Sequence, residues 1–245
     1  MAEFSVNKSL KSVEWNYPIL ISNSYFSKEF YDSLKFNFPD FSKHEWNECG
    51  QQHRKNIVIK EYNDISKNNL HESFESLYEH FDSVEFRNMI FNEFSEYFES
   101  NSFIGDIETA DLELSVCEAV DGYENPFHVD TRKRIVHMLM YFGKDEIKEG
   151  GQLCVAKHKE LDDMMDYPQY PKLDNIIETK EFEPEDNTLI VILSTPNSYH
   201  KGCSTIGKRN FLYIAFNNHN NKPAWRHKKN WNMKKTFKDA IKDQK

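Results

Sequence analysis

Apolar positions recur at three- and four-residue spacing over residues 69–82 (Leu70, Phe74, Leu77, Tyr78, Phe81) and again over 84–98 (Phe86, Met89, Ile90, Phe94, Tyr97, Phe98). That period is one face of an α-helix, so two amphipathic helices are predicted there, each with an aromatic stripe suited to packing on a sheet. Ahead of them, the apolar run around residues 17–21 reads as a short strand. Ser27 reads as the N-cap of a helix that carries Phe30, Leu34 and Phe38 and is stopped by Pro39.

After Gly105 the period shortens. Residues 112–120 alternate, 135–142 are almost continuously apolar (IVHMLMYF), 152–156 are short and apolar, 188–193 read TLIVIL, and 210–216 read NFLYIAF. Five short strands separated by turns predict an antiparallel sandwich or barrel. Helices come first and strands after, so the expected class is α+β with the helices on one face. The stretch 157–185, with Met164, Met165, Tyr167 and Tyr170, is long for a plain hairpin and is read as a candidate lid or substrate loop.

Composition refines this picture. Hydrophobic residues are only 38% of the 245, but nineteen Phe and twelve Tyr supply large rings for a core. The net charge is −9. Residues 218–245 hold nine Lys/Arg against two Asp/Glu, a net of +7, which leaves −16 on the remainder. An acidic body argues against broad nucleic-acid binding, and the basic end reads as a solubilising tail. No run of eighteen apolar residues predicts a membrane helix, and the opening residues lack an apolar signal core. Cys49, Cys117, Cys154 and Cys203 are far apart in sequence. The reading is a reduced, cytoplasmic protein without a zinc ribbon, in which Cys117, Cys154 and Cys203 pack as small apolar groups.

The chemistry-bearing constellation is His128-Val129-Asp130, then His200, then Arg209. Two imidazoles and a carboxylate on one face of an ion, with the opposite face open, is the ligand set of non-haem iron(II) oxygenases. Extended backbone alternates with period two, so His128 and Asp130 share a side. A second match, His80-Phe81-Asp82, lies in a helical pattern where i and i+2 diverge; His80 reads as an ordinary helix residue. His137 and His158 compete with His200 for the third place. Arg209, nine residues past His200 and beyond a turn, favours His200, because a guanidinium fork suits a carboxylate. His44, His53, His71, His219 and His227 lie in polar surroundings and are assigned no role.

The segments GYENPFHVD, VHMLMYFG, EGGQLCV, NTLIVILSTPNSYHKG and GKRNFLYIAF, all within residues 112–217, resemble the Fe(II)- and 2-oxoglutarate-dependent oxygenases of the prolyl-hydroxylase-like superfamily. The resemblance implies a double-stranded β-helix (jelly-roll, cupin-like) core with packed N-terminal helices. It implies one oxygenase domain over 1–245, with 1–110 mainly helical support, 111–217 the core and 218–245 the basic tail. It assigns iron to His128, Asp130 and His200, and the C5 carboxylate of 2-oxoglutarate to Arg209 and Tyr141, with Leu153 lining the co-substrate pocket. With O2, such an enzyme hydroxylates an unactivated C–H of a peptide or small-molecule substrate, prolyl residues and sugars included, and releases succinate and CO2. Two positions depart from the family pattern: Phe211 replaces a Ser or Thr, and Glu118 replaces a pocket tyrosine. Tyr123 and Lys208 are the expected substitutes, and Phe127, Trp46 and Tyr123 are candidate substrate contacts. If Tyr141 faces the pocket, so does His137, either toward water or co-substrate or as a core histidine bonded to backbone. A jelly-roll binding module without oxygenase activity and a zinc hydrolase are the rival readings.

Overall fold

The computed structural model describes residues 4–7, 9–43, 53–226 and 237–244. His44, Trp46, Cys49 and His227 lie outside the described residues. The chain forms β1 (Lys11–Val13), β2 (Ile19–Ser22), α1 (Lys28–Phe36), β3 (Arg54–Ile59), α2 (Asn63–Lys67), α3 (Ser73–Asp82), α4 (Val84–Glu93) and α5 (Ser95–Phe98). It continues through β4 (Asp111–Ala119), β5 (Arg134–Phe142), β6 (Ile147–Gly150), β7 (Leu153–His158), β8 (Ile176–Phe182) and β9 (Leu189–Leu193). It closes with β10 (Tyr199–Gly202), β11 (Thr205–Gly207), β12 (Arg209–Asn217) and α6 (Phe237–Asp243).

Capping chemistry sets the helix starts. Ser27 accepts from the Phe30 N–H to open α1, and Ser83 accepts from the Phe86 N–H to open α4. The helix expected over 84–98 breaks at Phe94, which leaves α-helical geometry at φ −112° and separates α4 from α5.

The strands build an antiparallel seven-stranded sheet in the order β1-β2-β9-β5-β12-β4-β3, a three-stranded sheet β10-β7-β8 and a two-stranded pair β11-β6. Both faces of the large sheet are covered. One meets the helices through Leu114, Val116, Met138, Met140, Leu212 and Ile214 against Phe74, Leu77, Phe81, Phe86, Ile90 and Phe91. The other meets the three-stranded sheet through Cys117, Leu139, Ile190 and Phe211 against Leu153, Val155 and Phe182. This accounts for the unbroken apolar run of β5, in which every residue is buried.

The polar strands were not visible in the periodicity. β8 runs inside the segment read as a loop. It pairs with β7, and most of its residues are exposed and charged or polar, so no apolar alternation marks it. Only residues 159–175 remain as the connection, and they pack outside the small sheet. Residues 1–110 are not purely helical: β2 and β3 join opposite halves of the large sheet. No helix among the described residues is long and apolar enough to cross a membrane.

Described residues after β12 join the body. Trp225 is 2% exposed, lies 5.0 Å from the Phe103 ring and donates Nε1–H to the Arg134 carbonyl. From α6, Gln244 bonds both the N–H and the carbonyl of Phe127 (2.7 and 3.0 Å) and the Pro171 carbonyl (3.1 Å). Trp225→Ala is therefore expected to destabilise the fold by about 3–5 kcal/mol, read as a lowered midpoint in urea unfolding. An unchanged midpoint would place Trp225 outside the folded unit.

Candidate functional site

The site forms where the loop before β5 meets β10. His128 N–H donates to the His200 carbonyl (3.0 Å) and His200 N–H to the His128 carbonyl (2.9 Å), a two-way antiparallel bridge between residues 72 positions apart. The bridge sets their imidazoles side by side, 4.5 Å between ring centroids. The backbone through His128 is extended. Phe127 and Val129 bury themselves in an apolar cluster with Cys154, Ala156, Tyr167 and Tyr199, while His128 and Asp130 face the other way. Gln169 fixes this alternation by accepting the Val129 N–H at 2.9 Å. The segment read as a lid is thus the outer wall of the ligand loop.

Ligand atoms of His128, Asp130 and His200 lie within 4.8 Å of one another. Asp130 Oδ1 is 3.9 Å from Nε2 of each histidine. In each ring the far nitrogen is committed: His128 Nδ1 lies 2.9 Å from the Pro126 carbonyl and His200 Nδ1 3.0 Å from the Ser198 carbonyl. A carbonyl only accepts, so Nδ1 carries the proton and Nε2 keeps its lone pair toward the cluster. Burial pushes both histidines below their ordinary pKa, which favours the neutral, ligating form.

Asp130 uses its two oxygens differently. Oδ2 accepts from the Tyr213 hydroxyl (2.9 Å) and lies 3.0 Å from His137 Nδ1. Burial raises the Asp130 pKa, but His137, His200 and Arg134 outweigh it and hold the carboxyl well below its usual range. Oδ1 is left for an ion. His137 is thereby placed in the site. It bonds Asp130 and Ser194 (2.9 Å) rather than backbone, and Nε2 of its 1% exposed ring has no hydrogen-bond partner. His158 is elsewhere, with Nδ1 on the Lys159 carbonyl and its ring against Tyr167 and Tyr199. His80 is satisfied in its helix by the Tyr25 hydroxyl at 2.7 Å.

A cavity of about 220 Å³ opens beside the cluster, and Leu153, Tyr123, Gly202, Arg209 and Phe211 line one end of it. Arg209 is 2% exposed. Its Nη2 donates to the Tyr141 hydroxyl at 3.1 Å, while Nε and Nη1 have no hydrogen-bond partner. The rings of Phe211 and Tyr141 flank the guanidinium, centroids 4.8 and 4.9 Å away, and Tyr123 lies 5.8 Å off. Gly202 leaves room for it, since a Cβ there would stand 3.1 Å from Nη1. Phe211, where a Ser or Thr was expected, thus gives the cation an aromatic face in place of a hydroxyl partner. Tyr123 reaches the cavity. Lys208 does not; it pairs with Glu146 at 2.5 Å on the surface. Arg54, Asn56, Glu113, Ser115 and Arg134 line it as well, and Arg54 lies over the Phe211 ring, 5.3 Å from its centre. Arg54 and Asn56 sit on β3, a strand the apolar pattern did not disclose, and so went unnoticed in the sequence.

The fold is similar to that of a prolyl-4-hydroxylase from Pseudomonas putida, at TM-score 0.55 and 15% identity over 83% of this chain and 94% of that one. It is also similar to prolyl 4-hydroxylases from Phytophthora capsici, at TM-score 0.50 and 12% identity over 92% of this chain and 69% of the other. No protein-family model and no curated protein sequence matches the chain. At these identities the likeness is one of fold.

Removal of a nitrogen donor is expected to abolish binding of manganese(II), an ion suited to oxygen and nitrogen ligands, in His128→Ala and His200→Ala. His137→Ala and Tyr213→Phe, which release Asp130 without removing a donor, are expected to weaken it by about 10–100-fold. Isothermal calorimetry reads both. Undiminished affinity in both alanine variants of the bridged histidines would place the ion elsewhere.

Proposed function

We propose that this chain is an Fe(II)- and 2-oxoglutarate-dependent oxygenase that hydroxylates an unactivated C–H of a peptide or small-molecule substrate, releasing succinate and CO2. The observation that carries the reading is the pairing of two features in one cavity: a His2Asp donor set and a buried guanidinium with two unpartnered nitrogens. Either alone has ordinary explanations. Together they match a bidentate dicarboxylate that touches the ion at one end and needs a cation at the other.

The residues fit both groups. Neutral imidazole nitrogens and a carboxylate suit iron(II) and leave further coordination positions open. When bound, iron with 2-oxoglutarate supplies the oxidising power that activates O2; the protein supplies geometry and a dry cavity. His128 and His200 hold the ion through Nε2, each oriented by its carbonyl-bound Nδ1. Asp130 offers Oδ1 while Tyr213 and His137 retain Oδ2. Arg209 Nε and Nη1 would donate charge-assisted hydrogen bonds to the distal carboxylate, with Tyr141 completing the clamp. Leu153, Phe211 and Leu139 exclude water from the methylenes between. The substrate meets the part of the lining formed by Asn56, Glu113 and Ser115, polar groups suited to a peptide backbone or a hydroxylated small molecule. The likeness in fold to prolyl 4-hydroxylases supports a peptidyl substrate as the first to try.

The test is iron-dependent conversion of 2-oxoglutarate to succinate, with and without a panel of peptides, amino acids and sugars. Arg209→Ala leaves a buried carboxylate without its cation, which costs about 2–5 kcal/mol. Its KM for 2-oxoglutarate is therefore expected to rise by at least about 30-fold, at the rate of tenfold per 1.4 kcal/mol, while manganese affinity is unaltered. Succinate formation that is absent in the wild-type chain, or indifferent to Arg209, would refute the assignment.

A further inference from the structure

We propose that Cys154, Cys203 and Glu181 form a second metal site, of thiolate character, that takes a zinc-class divalent ion. The site is separate from the His2Asp cluster and does not depend on the oxygenase reading.

The register makes the cluster. On the β10-β7-β8 sheet, Cys154 stands directly opposite Glu181 on β8 and opposite Lys201 on β10. Cys203 follows β10 by one residue and donates its N–H to the Gln152 carbonyl at 2.8 Å, which makes it the diagonal neighbour of Cys154. The two Sγ atoms and a Glu181 carboxylate oxygen all lie within 4.8 Å of one another. Cys154 is buried, Cys203 half-buried and Glu181 exposed, so the donors run from the protein inward and an ion has an open path.

Lys201, opposite Cys154 on β10, is drawn aside from the cluster, its ammonium 4.8 Å from the centre of the Phe127 ring. Two thiolates and a carboxylate are a zinc-class set, with the fourth tetrahedral position left to solvent. Binding releases the two thiol protons, one from each cysteine, and involves no change of oxidation state. Cys117 takes no part: it is buried against Arg54, whose Nη2 lies 3.2 Å from its sulfur.

Cobalt(II) titration of the reduced, full-length chain under anaerobic conditions tests this. Sulfur ligation gives an intense near-ultraviolet charge-transfer absorption that nitrogen and oxygen ligands do not. The band is expected to saturate at one equivalent bound and to be displaced by zinc. It should persist in His128→Ala and Cys49→Ser, and disappear in Cys154→Ser and Cys203→Ser. Glu181→Gln should keep the band at a weaker affinity. Circular dichroism melts of the serine variants establish that they fold; if either does not, protection of its partner thiol from alkylation by zinc in the wild-type chain, located by peptide mass, is the readout. No band in the wild-type chain, a band that survives both serine variants, or a Cys154–Cys203 disulfide in the reduced chain would overturn the proposal.

Discussion

The backbone bridge between His128 and His200 is the constraint from which the rest follows. Side chains alone cannot hold two imidazoles at ligating distance, because each has two free torsions and would relax toward its own packing. Here two backbone hydrogen bonds fix the Cα positions, and a carbonyl two residues before each histidine fixes its ring through Nδ1. The orientation is therefore inherited from the sheet and costs little additional side-chain entropy at the moment an ion binds. Asp130 then enters by period-two extension of the same strip of chain, and its orientation comes from β5 and β12 through His137 and Tyr213.

The second demand is electrostatic. A guanidinium removed from water loses several kcal/mol of solvation unless it is paired. Arg209 has one neutral hydrogen bond, two aromatic faces and two unused nitrogens. The rings of Tyr141 and Phe211 offset part of that loss, each contact being worth about 0.5–2 kcal/mol when desolvated. The remainder is stored as an affinity for an anion, so a structure that is suboptimal for folding is well prepared for binding. Gly202 suits the same arrangement, since a Cβ there would crowd Arg209 Nη1 at 3.1 Å and the Tyr123 ring at 3.2 Å.

Much of this was legible in the sequence, and the physical reasons are plain. β5, β9 and β12 are buried on both faces, and continuous apolar runs announce them. α1, α3 and α4 bury one face, and their period shows it. His128, Asp130, His200 and Arg209 were read as a set because a helical pattern set aside His80 and the offset of Arg209 set aside His158, and the fold brings all four to one cavity. β8 escaped because most of its side chains face water, and β3 and β10 because they are short and mix core residues with polar ones that line the cavity, so no hydrophobic period marks them. With β3 went Arg54 and Asn56, and with β10 the diagonal relation of Cys154 to Cys203, which are 49 positions apart in the chain. The tail over 218–245 read as a solubilising extension from its charge alone. Charge does not reveal that Trp225 and Gln244 reach back to Arg134, Phe127 and Pro171.

Placed together, these observations give the small sheet an uncommon division of labour. Along β7, Leu153 and Val155 turn inward, Leu153 to the cavity, while Cys154 and Ala156 turn outward; on β10, His200 faces inward and Lys201 outward. Strand alternation thus separates the imidazole donors on one face from the sulfur donors on the other, with a carboxylate beside each. On the two proposals above, an ion that prefers thiolate would find its ligands on the outer face and would not compete at the inner one, where iron(II) would otherwise face metals of higher intrinsic affinity. Since the two faces share β7 and β10, an ion on the sulfur side would also stiffen the strand that carries His200. The same alternation that builds the fold thereby offers a route by which the inner site keeps its geometry and its metal.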